Sequence, residues 1–365
     1  MFDQAKLVSC FSITSYYLFC ASIVAGMSSV ITLFACILIL PYAFHVTNLK
    51  HENTAFAFLA IFLIIGSLLN LLVSNNGIGG TLVIIGVLYM SRFIIENVRK
   101  MTPHILIFLI VYMSFIAYRM FIIGADPNEI YESMSRNYIG LIIVLLNSLY
   151  SFLLYIDKRR PPLLIPTISM VMVFFLFGRS SIIAMLGIIF LNLAVYLKRV
   201  RTATLIAILL AGSIGVIYSV HVFLDLYDIS PFSSYGFDSP RYQMWVDFFE
   251  NVSLYTFIMG MDTFSVHSIA IQNGNVHNEF LNLLARTGIG FVAFGTIFLC
   301  SLFSYLRKNR IYTLIIILII SFRIFYDTGI FVSNLGFCFY SIILYPFFYN
   351  ENSANGSSDL NVDNE

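Results

Sequence analysis

The residues best suited to chemistry are His277-Asn278-Glu279, an imidazole and a carboxylate flanking an amide just ahead of an apolar run. Asn278 is suited to cap a short helix, since its side-chain oxygen can accept from the free amides of a first turn. An imidazole beside that positive end is favoured in its neutral form and can accept a proton, whereas the neighbouring Glu279 carboxylate favours the charged form. His277 is therefore the candidate general base and Glu279 the alternative; a polar surface histidine is the plainer reading. Arginines supply a second kind of chemistry, because a planar guanidinium holds a phosphate or diphosphate through parallel hydrogen bonds. Arg241 follows Ser239-Pro240, a hydroxyl N-cap with proline at the first helical position, which places the cation at the positive end of a helix where an anion would also bind. A solvated loop charge is the alternative there. Arg179, after Gly178 and before Ser180-Ser181, opens an apolar run where a charge is costly and is kept for a partner or a pathway. Arg119, Arg286 and Arg323 are weaker candidates for the same role, with snorkelling to lipid headgroups as the alternative for Arg119 and Arg323.

The elements that must position these residues are set by composition. Of 365 residues, 59% are hydrophobic and 11% charged, against about 25% charged in a soluble domain. The chain therefore reads as an all-α polytopic membrane protein. About twelve apolar runs, each near the ~20 residues a span requires, lie near 7–24, 30–47, 54–74, 78–95, 104–123, 138–156, 163–177, 182–197, 203–223, 289–306, 311–322 and 329–348. Runs such as Ile311 to Phe322 are apolar on every side, which excludes a barrel strand with its period of two. The first two runs are separated only by Ala25-Gly26-Met27-Ser28-Ser29, and 163–177 and 311–322 need flanking residues to span. The apolar start resembles a signal peptide, but the second run that follows at once favours a retained first span.

Lysine and arginine collect on cytoplasmic loops. With both termini in the cytoplasm, fourteen of the twenty basic residues face inward, and the six that face outward, Arg119, Arg136, Arg179, Arg241, Arg286 and Arg323, are all arginine. The expected organisation is helices 1–9 over 1–223, one large outer loop over 224–280 with an amphipathic helix, helices 10–12 with their lead-in over 281–348, and a disordered cytoplasmic tail over 349–365. Trp245, Phe248, Phe249 and Val252 recur at helical spacing in that loop, so its helix is expected on the membrane surface. The loop carries Asp225, Asp228, Asp238, Asp247, Glu250, Asp262 and Glu279 against the single base Arg241. Most of these acids read as a solvated face.

Several function classes fall away. No basic stripe could track a nucleic acid. No HExxH, phosphate-loop, GxSxG or Asp-x-Asp signature is present, and the five cysteines sit inside apolar runs as small hydrophobes, so no metal or cofactor is expected. No internal repeat points to a transporter of paired halves.

Gly178-Arg179-Ser180-Ser181 opening a span, Ser239-Pro240-Arg241 with Trp245 downstream, and His277-Asn278 followed by Leu281, Leu284, Gly288 and Gly290 resemble the O-antigen polymerase and O-antigen ligase family of bacterial membrane glycosyltransferases. The pieces stand in family order over roughly residues 170 to 306. The resemblance implies a GT-C-like helical bundle in the bacterial inner membrane and a role in lipopolysaccharide biosynthesis. It further implies inverting, metal-independent transfer of a glycan from an undecaprenyl-diphosphate carrier at the periplasmic face. By position Arg179 and Arg241 would hold the diphosphate and His277 would take the acceptor proton. A polymerase, with a chain-length regulator as a possible partner, is expected ahead of a ligase acting on lipid A-core. A flippase of lipid-linked oligosaccharide is the rival from another class, disfavoured by the one-sided loop.

Overall fold

A computed structural model describes residues 4–47, 54–74, 78–132, 134–197, 241–325, 331 and 333–348. The described residues form helices and turns with no strand. The expected ninth span 203–223, loop residues 224–240 with the Ser239-Pro240 cap, and the tail 349–365 lie outside them.

The long helices are α1 (Gln4–Val24), α2 (Ser29–Thr47), α3 (Thr54–Asn70), α4 (Gly79–Glu96), α5 (Val98–Ala117, continued by a π-helical turn Tyr118–Ile122), α6 (Arg136–Lys158), α7 (Leu164–Phe175) and α8 (Arg179–Tyr196). After the undescribed stretch come α9 (Arg241–Asn251), the single turns α10 (Thr256–Met259) and α11 (His267–Ala270), then α12 (Glu279–Thr287), α13 (Ile289–Arg307), α14 (Ile311–Phe325) and α15 (Gly336–Phe348). Seven of these are long and apolar enough to cross a bilayer, namely α1, α2, α4, α5 with its π turn, α6, α8 and α13, while α3, α7, α14 and α15 are shorter apolar helices. Helix α7 has 12 residues, about 18 Å of rise against a hydrocarbon core of about 30 Å.

Local chemistry explains where the helices stop. Gly26 and Met27 both take left-handed backbone between α1 and α2, so the four-residue break is a true turn and the two helices pack as a hairpin. Helix α6 ends where Arg159 turns left-handed and Pro161-Pro162 bring no amide hydrogens. The two proline carbonyls accept from Tyr196 Oη at 2.8 Å and Asn192 Nδ2 at 2.7 Å, so α8 satisfies them.

Two groups of polar contacts mark the two ends of the bundle. At one end buried Arg92 pairs with Glu96 at 2.9 Å and lies over the rings of Phe56 and Phe348, and Arg99 pairs with Asp157 at 2.9 Å. At the opposite end, called here the loop end, Asn334 donates to Ser22 Oγ and Thr32 Oγ1, each at 2.7 Å, and ties the start of α15 to the α1–α2 turn.

The tightest helix contact also sits at the loop end. A Cβ on Gly66 of α3 would overlap the Thr287 carbonyl oxygen, and one on Gly290 of α13 would lie 2.9 Å from the Leu63 Cα. Glycine on both faces is what lets these backbones meet. Gly66→Val is expected to lower stability by about 3 kcal/mol through overpacking against backbone that cannot yield, read as a lower unfolding midpoint in detergent. An unchanged midpoint would mean that α3 and α13 are not in this contact.

Candidate functional site

Each motif occupies a helix start or turn at the loop end. Asn278 caps α12, its Oδ1 accepting from Phe280 N at 3.0 Å and Leu281 N at 3.2 Å. His277, just before the cap, takes left-handed backbone with φ 50° and is half-buried. Its amide donates to Asn275 Oδ1 at 2.8 Å. This Asx-type turn fixes where the imidazole leaves the chain.

Glu279 is fully buried. Its Oε1 accepts from Phe331 N, its Oε2 faces Asn282 Nδ2 at 3.5 Å, and the Phe331 carbonyl accepts from Tyr340 Oη at 3.3 Å. The carboxylate thus holds α12 to the segment that leads into α15. Asn282 Oδ1 in turn accepts from Arg286 Nε at 3.0 Å, while the rest of Arg286 is exposed.

Helix α9 begins at Arg241, which is half-buried. Part of its apolar face packs on protein, while Trp245 and Val252 are half-buried. Met244 and Phe248 are buried in a small core with Met261, Val266, Ile269, Val276, Leu281 and Leu284, and Phe249 alone of the stripe is exposed. Periodicity reports that one face is apolar, and only the fold decides what covers it. Of the loop acids, Asp262 accepts from Phe264 N at 3.0 Å. The nearby Ser268 hydroxyl and the Gln243 amide, which donates to Asp247 Oδ1 at 2.6 Å, lower the Asp247 carboxyl from its ordinary pKa.

Trp245 is the connector. Its Nε1 donates to Val276 O at 3.0 Å, one residue before His277, and its ring meets Phe325 edge-on with centroids 5.2 Å apart. Helix α9, which carries Arg241, is thereby joined to the histidine turn and to the end of α14. Two residues earlier on α14, fully buried Arg323 donates from Nε to Ser181 Oγ at 2.8 Å and from Nη2 to Asn137 O at 2.6 Å. Ser181 belongs to the Gly178-Arg179-Ser180-Ser181 turn, where α8 begins at an exposed Arg179. A Cβ on Gly140 of α6 would lie 2.8 Å from Ser181 Oγ, so a glycine again permits the close approach.

The structure therefore ties the Arg179 turn, the Arg241 helix and the His277 turn into one frame through Arg323 and Trp245. Arg119 stands apart on the π-helical turn, donating from Nη2 to Ile130 O at 3.2 Å. Arg323 does not snorkel to headgroups, because protein encloses it completely. Its signal in the sequence was a charge inside an apolar run, which is retained only with an internal or external partner. Asn70, at the end of α3, escaped sequence reasoning. It donates to Met259 O at 3.1 Å and Ala285 O at 2.9 Å, and nothing in its sequence neighbourhood foretells either partner.

Fold and composition define the class as an all-helical membrane protein, with several helices long and apolar enough to be embedded in a bilayer. No protein-family model, curated protein or solved structure matches the chain.

Proposed function

We propose that the chain is a membrane glycosyltransferase of the O-antigen polymerase kind, moving a growing glycan from undecaprenyl diphosphate onto the next lipid-linked repeat unit. The observation that carries this reading is the Trp245 connection, which joins the helix of one arginine to the turn of the histidine, while α14 reaches the turn of the other arginine. Transfer from a diphosphate-linked donor requires cations for the leaving diphosphate and a neutral base for the attacking hydroxyl. In this scheme Arg179 and Arg241 hold the diphosphate, His277 takes the acceptor proton, and Arg323 is a positioning residue for the Arg179 turn. Arg119 and Arg286 are secondary contacts for the glycan carrier. The scheme needs about twelve spans, cytoplasmic termini and a loop end that faces the periplasm of the inner membrane, as the asymmetry of basic residues favours.

The surface-glycan ladder of a deletion strain tests the reading. Single repeats attached to core are expected. Complete glycan stranded on its carrier would assign a ligase instead, loss of outward repeat units would assign a flippase, and an unchanged ladder would remove the chain from this chemistry.

A further inference from the structure

The stretch from Asn251 to Met261 holds no charged residue, although it lies between Glu250 and Asp262 in a loop with seven acids and one base. Composition alone would bury such a segment, and Met261 is buried, yet several of its apolar side chains point away from the protein. Leu254 is 81% exposed, Tyr255 57% and Ile258 45%. Nothing among the described residues covers them.

The fold fixes where this surface stands. Asn70, the last residue of α3, donates to Met259 O, and Met261 N donates to Ala285 O at 2.9 Å. On the other side, a Cβ on Gly288 would overlap the Ile258 carbonyl and sit 2.5 Å from Gly260 N, so α10 rests on the first residues of the spanning helix α13. Leu72, just beyond Asn70, is 77% exposed. The segment is thus held beside the ends of two apolar helices, α3 and α13; for helices that cross a bilayer, such ends lie where hydrocarbon gives way to headgroups.

Its backbone suits that setting. Ser253 N donates to Thr256 Oγ1 at 3.1 Å, Thr256 N to Ser253 O at 3.0 Å, Met259 N to Tyr255 O at 2.9 Å and Gly260 N to Thr256 O at 2.9 Å. The amides of Leu254 and Tyr255 have no partner among the described residues, which places the backbone among headgroups and water with only side chains reaching hydrocarbon, and a tyrosine at its rim matches the aromatic belt of membrane interfaces.

We infer that residues 252–261 dip into the leaflet at the loop end as a membrane-inserted anchor. This surface takes lipid acyl chains and, through Met261 and Asn70, sets the depth of α12 and the histidine turn. The inference uses only the membrane placement of the bundle and stands whatever the chain catalyses. It is separate from the amphipathic reading of α9, whose Met244 and Phe248 are buried against protein.

The chain has one tryptophan, Trp245, so an added tryptophan can be read by difference. Full-length Leu254→Trp and Ile258→Trp proteins would be reconstituted in phosphatidylcholine vesicles with and without brominated acyl chains, beside the parent. The added emission is expected to be blue-shifted, to lose most of its intensity in brominated lipid and to resist aqueous acrylamide. Quenching by acrylamide with none by brominated lipid would overturn the inference, since the segment would stand in water. Protection from both quenchers would overturn it as well, because protein would then be the cover. Two positions on one turn guard against a single variant that fails to fold.

Discussion

Replacing His277 by alanine is expected to abolish glycan polymerisation while leaving expression and membrane insertion intact. Removal of a general base costs about 10²- to 10⁴-fold in rate, enough to erase long chains from the ladder. The fold should tolerate the change, since the half-buried side chain sits on a turn held by Asn275 and capped by Asn278, neither of which needs the imidazole. Glu279→Gln is the necessary companion. The fully buried carboxylate accepts from Phe331 N, and a glutamine oxygen can accept the same hydrogen bond, so this variant should retain activity if Glu279 is a tether. Extension of lipid-linked repeats by His277→Ala at the parental rate, together with loss in Glu279→Gln, would reverse the assignment and make the carboxylate the base.

Arg179→Lys and Arg241→Lys are each expected to cut activity by roughly ten- to a hundredfold. An ammonium keeps the charge and loses the parallel pair of hydrogen bonds, and one charge-assisted hydrogen bond is worth about 1.5–3 kcal/mol. Both arginines stand at the first residue of a helix, where the amides already favour an anion. Neither substitution disturbs packing of the kind that encloses Arg323, so purified variants should unfold at the parental temperature. Parental activity in a well-expressed Arg179→Lys protein would show that charge alone suffices there or that the residue is only an interfacial anchor.

Sequence alone determined the class and much of the local architecture. Apolar runs are dictated by the bilayer, since each spanning helix must satisfy its own backbone and present apolar side chains on every side. Helices stand at eleven of the twelve expected runs, seven of them long and apolar enough to cross a bilayer, while the ninth run lies outside the described residues. The Asn278 cap was equally legible, because a cap is a contact between residues two or three apart. The glycines of the Gly288-Ile289-Gly290 turn could be seen in the sequence, but their purpose could not. Only packing shows that Gly290 faces Leu63 and Gly66 of α3, more than two hundred residues earlier in the chain.

Tertiary structure alone decided which polar groups belong together. Arg323 could have reached for headgroups, and the fold instead closes α6, α8 and α14 around it. Glu279 could have been a solvated acid beside a base, and it is enclosed as a tether to Phe331. Trp245 read as one member of an apolar stripe, whereas its indole N–H and ring join three segments that sequence places 31 and 80 residues apart. Hydrophobic periodicity is a local property and can be counted along a chain. A hydrogen bond between distant residues depends on which helices become neighbours, and many nearly equivalent apolar runs leave that choice to the packing of the whole bundle.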